Sequence, residues 1–304
     1  MVRLQPHGTR HRRAAGENVM GKEEDFIAVI SFFLLLLQQK KQVTNMRSIW
    51  TRDELILALD LYFRLPFGRL NRTTPEVVEL ANLIGRTNNS VALRLVNFAA
   101  CDPVIIESGR TGMPGGLTIC KPIWDEFSEN KENLFFEAQQ IKAKLLHSSV
   151  EKLVGISNKD LVGKDKQTIV KQRVNQYAFR SMILNLYEKR CAIYEKRCAI
   201  TGINIHELLI ASHIIPWAEN QKERLNPENG LCLSALYDRA FDQGFIGFDN
   251  QYRVLLSDKL KAYSSESYYE KHFASIKGQT ITLPEYHRPN KLFLEWHRDC
   301  IFNK

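Results

Sequence analysis

The sequence predicts an α+β protein, with a helical N-terminal part joined to a C-terminal part in which short strands and a helix alternate. Two observations carry that class. Between Trp50 and Phe98, apolar residues recur at helical spacing in three blocks. Between Leu208 and Asp249 the order becomes apolar run, polar loop, second apolar run and amphipathic block, which reads as strand, loop, strand, helix. The chain has 304 residues, 44% of them hydrophobic and 25% charged, enough for about two domains with real cores.

The balance is basic, with a formal charge of +8 and a pI near 9.1, which favours a polyanionic partner. The six cysteines form no C-x-x-C pair. That argues against a zinc ribbon or a disulfide scaffold and fits reduced thiols, hence a cytoplasmic location. Residues 1 to 45 differ from the rest of the chain: a basic start at Arg10 to Arg13, an acidic cluster at Glu23 to Asp25, and an apolar run from Phe26 to Leu37. A bilayer span needs roughly 20 apolar residues, so the run is too short to cross one and no membrane partner is expected, a membrane- or partner-binding helix being the alternative reading. Acids precede it and no small-residue cleavage site comes after it, which separates it from a secretion signal.

Thr51 and Glu54 have the spacing of a capping box, and Leu55, Leu59, Tyr62 and Phe63 then share a helical face as far as Pro66 and Gly68. A second helix follows Thr74-Pro75 and closes at Gly85. A third, after the polar turn Arg86 to Ser90, carries Val91, Leu93, Leu95, Val96 and Phe98. Helix, glycine-containing turn, helix is the outline of a helix-turn-helix, whose second helix can enter a major groove. Arg86, Asn88, Asn89, Ser90 and Arg94 are the groove-side candidates, since Asn and Arg make bidentate contacts to base edges. A helical bundle that only packs on its neighbour has the same outline.

Arg110 to Gly116 is a glycine-rich connector without the Gly-Lys-Ser/Thr ending of a phosphate loop. Helix resumes over Ile123 to Phe127 and Asn133 to His147, and the lysine-rich stretch Ser148 to Gln167 reads as a linker. Tyr187 to Ile193 spells YEKRCAI, and Tyr194 to Ile200 repeats it unchanged. Seven residues are close to two helical turns, so the extra copy predicts a longer helix or loop ahead of the candidate site.

The run Leu208 to Ile215 carries His213 and stops at Pro216. Ala218 to Glu228 is a polar loop, Asn229-Gly230 turns into the strand Leu231 to Leu233, and Ser234 is the N-cap of a helix ending near Gly244. Inside that helix Asp238 and Asp242 stand four apart and leave the same face. One imidazole, one asparagine and two carboxylates within one supersecondary unit suit metal-assisted phosphodiester hydrolysis. A hard divalent cation, Mg²⁺ first and Mn²⁺ or Zn²⁺ as alternatives, needs one or two protein carboxylates. A neutral histidine takes a proton from water near pH 7. His213 is therefore the candidate base, Asp242 with Asp238 the candidate metal ligands, and Asn229 the residue that fixes the loop and so aims His213. A lone histidine in an apolar strand also describes a core residue, and two acids on a helix a solvated face.

Four segments in this order resemble the HNH endonucleases: CAITG (Cys198 to Gly202), ASHIIPW (Ala211 to Trp217), NPENGLCLS (Asn226 to Ser234) and YDRAFDQGFI (Tyr237 to Ile246). The similarity is to the branch found in predicted bacterial restriction endonucleases. It implies a ββα-metal fold, with His213 at the general-base position and Asn229 at the middle asparagine. Asp238 falls where many relatives carry the last-motif histidine, and Asp242 one turn later. Ser212 is a departure, standing where many relatives have an Asp or His ligand. The implied activity is divalent-metal cleavage of double-stranded DNA, leaving 5′-phosphate and 3′-hydroxyl ends, in restriction or defence. Symmetric double-strand cuts would need a homodimer.

The resemblance starts at Met46, so residues 1 to 45 are expected to be a non-native or disordered extension. Residues 46 to 135 form a helical DNA-contacting domain, 136 to 178 a helix and linker, and 179 to 304 the nuclease domain. Past the motif, Phe245 to Leu256 reads as a hairpin turning at Asp249-Asn250, Ser264 to Phe273 as a helix and Leu292 to Phe302 as the closing helix. Arg239 and Arg288 are candidate DNA contacts, since Arg pairs bidentately with phosphate. His297 either joins them or lies on the helix surface. The rival reading, favoured by Ser212 and the duplicated heptad, is a catalytically inactive DNA-binding regulator on a nuclease fold.

Overall fold

The structure is a computed structural model that describes residues 49–156, 166–188 and 196–302. The expected N-terminal extension, part of the linker and residues 189 to 195 of the repeat lie outside the described residues. The helical part runs α1 (Arg52–Arg64), α2 (Pro75–Ile84), α3 (Asn88–Ala99), α4 (Pro103–Glu107), α5 (Leu117–Phe127), α6 (Lys131–Leu145), α7 (Val150–Leu153) and α8 (Lys166–Leu186).

α1 begins at the expected capping box: Thr51 Oγ1 accepts from the Glu54 amide at 3.3 Å, and Glu54 Oε2 from the Thr51 amide at 2.8 Å. The spacing predicts one apolar face, but Leu55, Ile56, Leu57, Ala58 and Leu59 are all buried in succession. The reason is tertiary: α1 packs against α2, α3, α5, α6 and α8 and is the core of this part. Its Asp60 is fully buried and is held by ion pairs to Arg64 and Lys142. Gly85 closes α2 with a left-handed φ of 67°, and Thr87 Oγ1 caps α3 by accepting from the Ser90 amide at 3.2 Å.

α8 is the element shared by the two halves. It packs against α1 and α6 and also against the hairpin of β1 (Leu209–His213) and β2 (Gly230–Ser234). The domain boundary expected at 178/179 thus falls inside one helix, and Thr51–Lys304 forms a single compact unit. β1 and β2 are antiparallel with His213 opposite Gly230. A Cβ on Gly230 would come within 2.2 Å of Ile183 Cδ1 and 2.9 Å of Phe179 Cζ, so glycine there lets α8 approach the strand end. α9 (Ala235–Asp242) packs on the same hairpin, which therefore lies between α8 and α9.

The rest keeps the expected order. β3 (Ile246–Phe248) and β4 (Val254–Leu256) form the second hairpin, whose turn is tied by Asp249 Oδ1 accepting from the Gln251 and Arg253 amides. α10 (Ser267–His272) and α11 (Lys291–His297) complete the chain, the latter running on into a π-helical turn at Arg298–Phe302. Neither reading of His297 holds: it is 1% exposed, stacks on Phe241 with ring centroids 3.7 Å apart, and meets the Phe241 carbonyl with Nε2 at 3.1 Å. Burial pulls its pKa down to about 4.

α8 ends at Leu186, ahead of the first heptad copy, so that copy does not extend it. Glu188 and Lys196 face each other in an isolated antiparallel bridge, and Glu188 is ion-paired with Arg69. Antiparallel partners sit about 4.5–5.5 Å apart at Cα, little more than the 3.8 Å of consecutive residues.

Two outcomes are expected. Deleting residues 189–195 joins Glu188 to Lys196, restores one YEKRCAI, and changes folding stability by no more than about 1 kcal/mol in urea unfolding, given the weak dependence of loop closure on length. For His297 the folded pKa lies below the ordinary 6.5, so its contribution is complete above about pH 6.5 and is lost as pH falls toward 4. Denaturation curves at pH 7 and pH 4.5 should show His297→Phe losing less stability than wild type, by up to about 1.4 kcal/mol per pH unit over that interval.

Candidate active site

The site is built on the end of β1, the loop after it, β2 and the first two turns of α9. Alternation along β1 sends successive side chains to opposite faces. Ser212 is buried on the α9 side, where its hydroxyl acts on Asp238, whereas His213 stacks on Phe179 of α8, with ring centroids 3.6 Å apart and planes 12° apart. α8 also anchors the start of the strand, since Arg180 Nη1 donates to the Leu209 carbonyl at 2.6 Å.

His213 is enclosed on three sides. Phe179 covers one ring face, Trp217 presses on it edge-on with centroids 5.5 Å apart, and Nε2 meets the Arg224 carbonyl at 3.0 Å. A carbonyl can only accept, so the ring proton sits on Nε2 and Nδ1 carries the lone pair. Burial is the main cause of a pKa pulled down to about 4, and the Arg224 charge adds to it while the hydrogen bond opposes it. The imidazole is therefore neutral at pH 7.

Asn229 is 1% exposed and ties the two ends of the loop together. Its Oδ1 accepts from the Ile215 amide at 2.8 Å, and its Nδ2 donates to the carbonyls of Ile215 and Glu223, each at 3.1 Å. Glu223 precedes Arg224, whose carbonyl meets His213 Nε2, so Asn229 ties the backbone next to that contact.

Asp238 and Asp242 lie one turn apart on α9, and the Asp238 charge acts on Asp242. Burial, then the Asp238 carboxylate, pushes Asp242 up to about 6. Asp238 is also raised, by burial, against the opposing pull of Ser212 and Arg239. The half-buried Asp238, the exposed Asp242 and the Ser212 hydroxyl form an all-oxygen donor set, which suits a hard divalent cation that keeps several waters. Among the described residues no group of three or more His, Cys, Asp or Glu comes together. His213 is thus not gathered with the two acids into one ligand cluster.

The expected DNA contacts divide. Arg239 is exposed beside the two acids, Arg288 is exposed, and Asn89 is exposed on the first turn of α3 with Asn88 half-buried next to it. Arg86 and Arg94 depart from the groove-side expectation. Arg86 makes a bidentate pair with Glu54 at 2.9 and 2.7 Å, and the buried Arg94 directs Nη1 to Cys120 Sγ at 3.5 Å. Both hold α3 and its preceding turn to the rest of the bundle, because a buried guanidinium must find partners. A cleft of about 930 Å³ has the loop 221–228 as one wall and includes Tyr62, Asp102, Lys131 and His287, but not Ser212, Asp238 or Asp242.

Sequence reasoning missed Phe179 and Arg224. Phe179 lies 34 positions before His213 in a helix with ordinary apolar spacing, and Arg224 is one basic residue in a polar loop. Neither carries a local signal. Among curated proteins none matches the chain. Residues 198–249, which hold the hairpin, α9 and each of His213, Asn229, Asp238 and Asp242, match the family model described as HNH endonuclease.

Proposed function

We propose that the chain is a metal-dependent DNA endonuclease in which His213 is the general base and Asp238 and Asp242 hold the cation. The family match supports a nuclease acting on nucleic acid. The observation that carries the finer reading is the bond from His213 Nε2 to the Arg224 carbonyl at 3.0 Å. A ring fixed in that tautomer has its lone pair on Nδ1, the atom that would take a proton from water. Asn229 holds the loop so that the ring keeps its direction. Asp238 and Asp242 supply the charged oxygens for the cation, with the Ser212 hydroxyl beside them. Bound there, a divalent ion would neutralise charge on the scissile phosphate and the leaving oxygen. In this reading Arg239 and Arg288 would meet phosphates, and Asn88 and Asn89 would reach base edges from a helix-turn-helix-like unit. Double-stranded DNA is the substrate, with restriction or defence as the setting and a homodimer for symmetric cuts.

The competing reading is an inactive DNA-binding regulator, favoured by Ser212 and by a donor set with only two carboxylates. Cleavage decides between them. His213→Ala should lower plasmid cleavage by about 10²–10⁴-fold while DNA affinity, measured by gel shift, stays unchanged. Equal cutting by wild type and variant removes the base assignment, and the absence of cutting in Mg²⁺, Mn²⁺ and Zn²⁺ leaves the regulator. Metal binding is expected to be separable from turnover: calorimetry with Mn²⁺ should detect an ion in wild type and in His213→Ala, and none in the double variant Asp238→Asn, Asp242→Asn. Asn229→Ala strands buried backbone groups that it now pairs, so urea unfolding should show a loss of at least about 2 kcal/mol.

A further inference from the structure

We propose that Arg224 is a positioning residue for His213, its side chain clamping Trp217 so that the carbonyl and the indole edge that hold the imidazole stay in place together. Four contacts close the ring. His213 Nε2 meets the Arg224 carbonyl at 3.0 Å. Arg224 Nε donates to the Trp217 carbonyl at 2.8 Å. The Arg224 guanidinium carbon lies 5.0 Å from the centroid of the Trp217 ring. That ring in turn meets His213 edge-on, with planes at 86°.

The chain between Trp217 and Arg224 contains no helix or strand. It has no ladder of its own to hold the Arg224 carbonyl. Asn229 secures the adjacent Glu223 carbonyl from inside the loop, and Arg224 secures the loop across its open side. A guanidinium suits this task because it donates in its plane while its face lies on an aromatic ring; an ammonium has no face to stack. Arg224 Nη1 also approaches Glu132 Oε1 of α6 at 3.8 Å, which links the loop to the helical part. That pair is half-exposed and long, so the contacts to Trp217 are the ones that matter.

The inference rests on the proposed role of His213, and the test separates the two. Full-length Arg224→Met, Arg224→Lys and Glu132→Gln are compared with wild type, each checked for folding by circular dichroism. The readouts are kcat and KM for plasmid cleavage and the tautomer of His213 from ¹⁵N-histidine NMR. Arg224→Met is expected to lower kcat by about 10–100-fold, the cost of a mispositioned group, with KM within about twofold of wild type. Arg224→Lys should recover little, Glu132→Gln should resemble wild type, and in Arg224→Met the proton should be shared between Nε2 and Nδ1. A rise in KM with unchanged kcat would make Arg224 a DNA contact and overturn the proposal. So would an unchanged tautomer in Arg224→Met. If wild type does not cut, the nuclease reading fails, and the tautomer alone then decides whether Arg224 holds the ring.

Discussion

The hairpin of β1 and β2 is covered on both faces, by α8 and by α9, and the site depends on that burial. Every residue of β2 is buried, and at Gly230 α8 comes too close for a side chain on the strand. Because strand side chains alternate, the double cover gives Ser212 and His213 different surroundings although they are neighbours in sequence. Burial is the leading cause of all three shifts at the site: His213 is held neutral, while Asp238 and Asp242 are made harder to ionise.

α8 carries this constraint across the molecule. One helix covers the imidazole with Phe179, anchors β1 with Arg180, and docks on α1 and α6. Asn185, near its C-terminal end, donates to the Arg64 carbonyl at 2.8 Å, and Arg69 reaches Glu188 just beyond. The helical part is therefore packed directly against the element that supports the proposed base. The bridge between Glu188 and Lys196 brings together the residues on either side of 189–195.

Buried guanidinium groups show how the same physics sorts the basic residues. The overall positive charge suggested a polyanion partner, but charge counts do not say where each group points. Arg64, Arg86 and Arg94 serve carboxylates or sulfur inside the helical part, while Arg239 and Arg288 face solvent. Asn88 and Asn89 are short enough to remain near the surface at the start of α3.

The sequence by itself determined the order of elements, the capping box at Thr51, the close of α2 at Gly85, the turn at Asp249-Asn250 and the residues of the family motif. Those signals are local: each needs only neighbours within a few positions, so a linear reading finds them. Tertiary structure decided which faces are covered. α1 became a central helix rather than an amphipathic one, Arg86 and Arg94 turned inward, and His297 went under Phe241 instead of toward phosphate. Phe179, Trp217 and Arg224 became the cage around His213. These outcomes depend on residues far apart in the chain reaching contact distance, and desolvation, which sets the charge state of the imidazole and the carboxylates, exists only once they have done so.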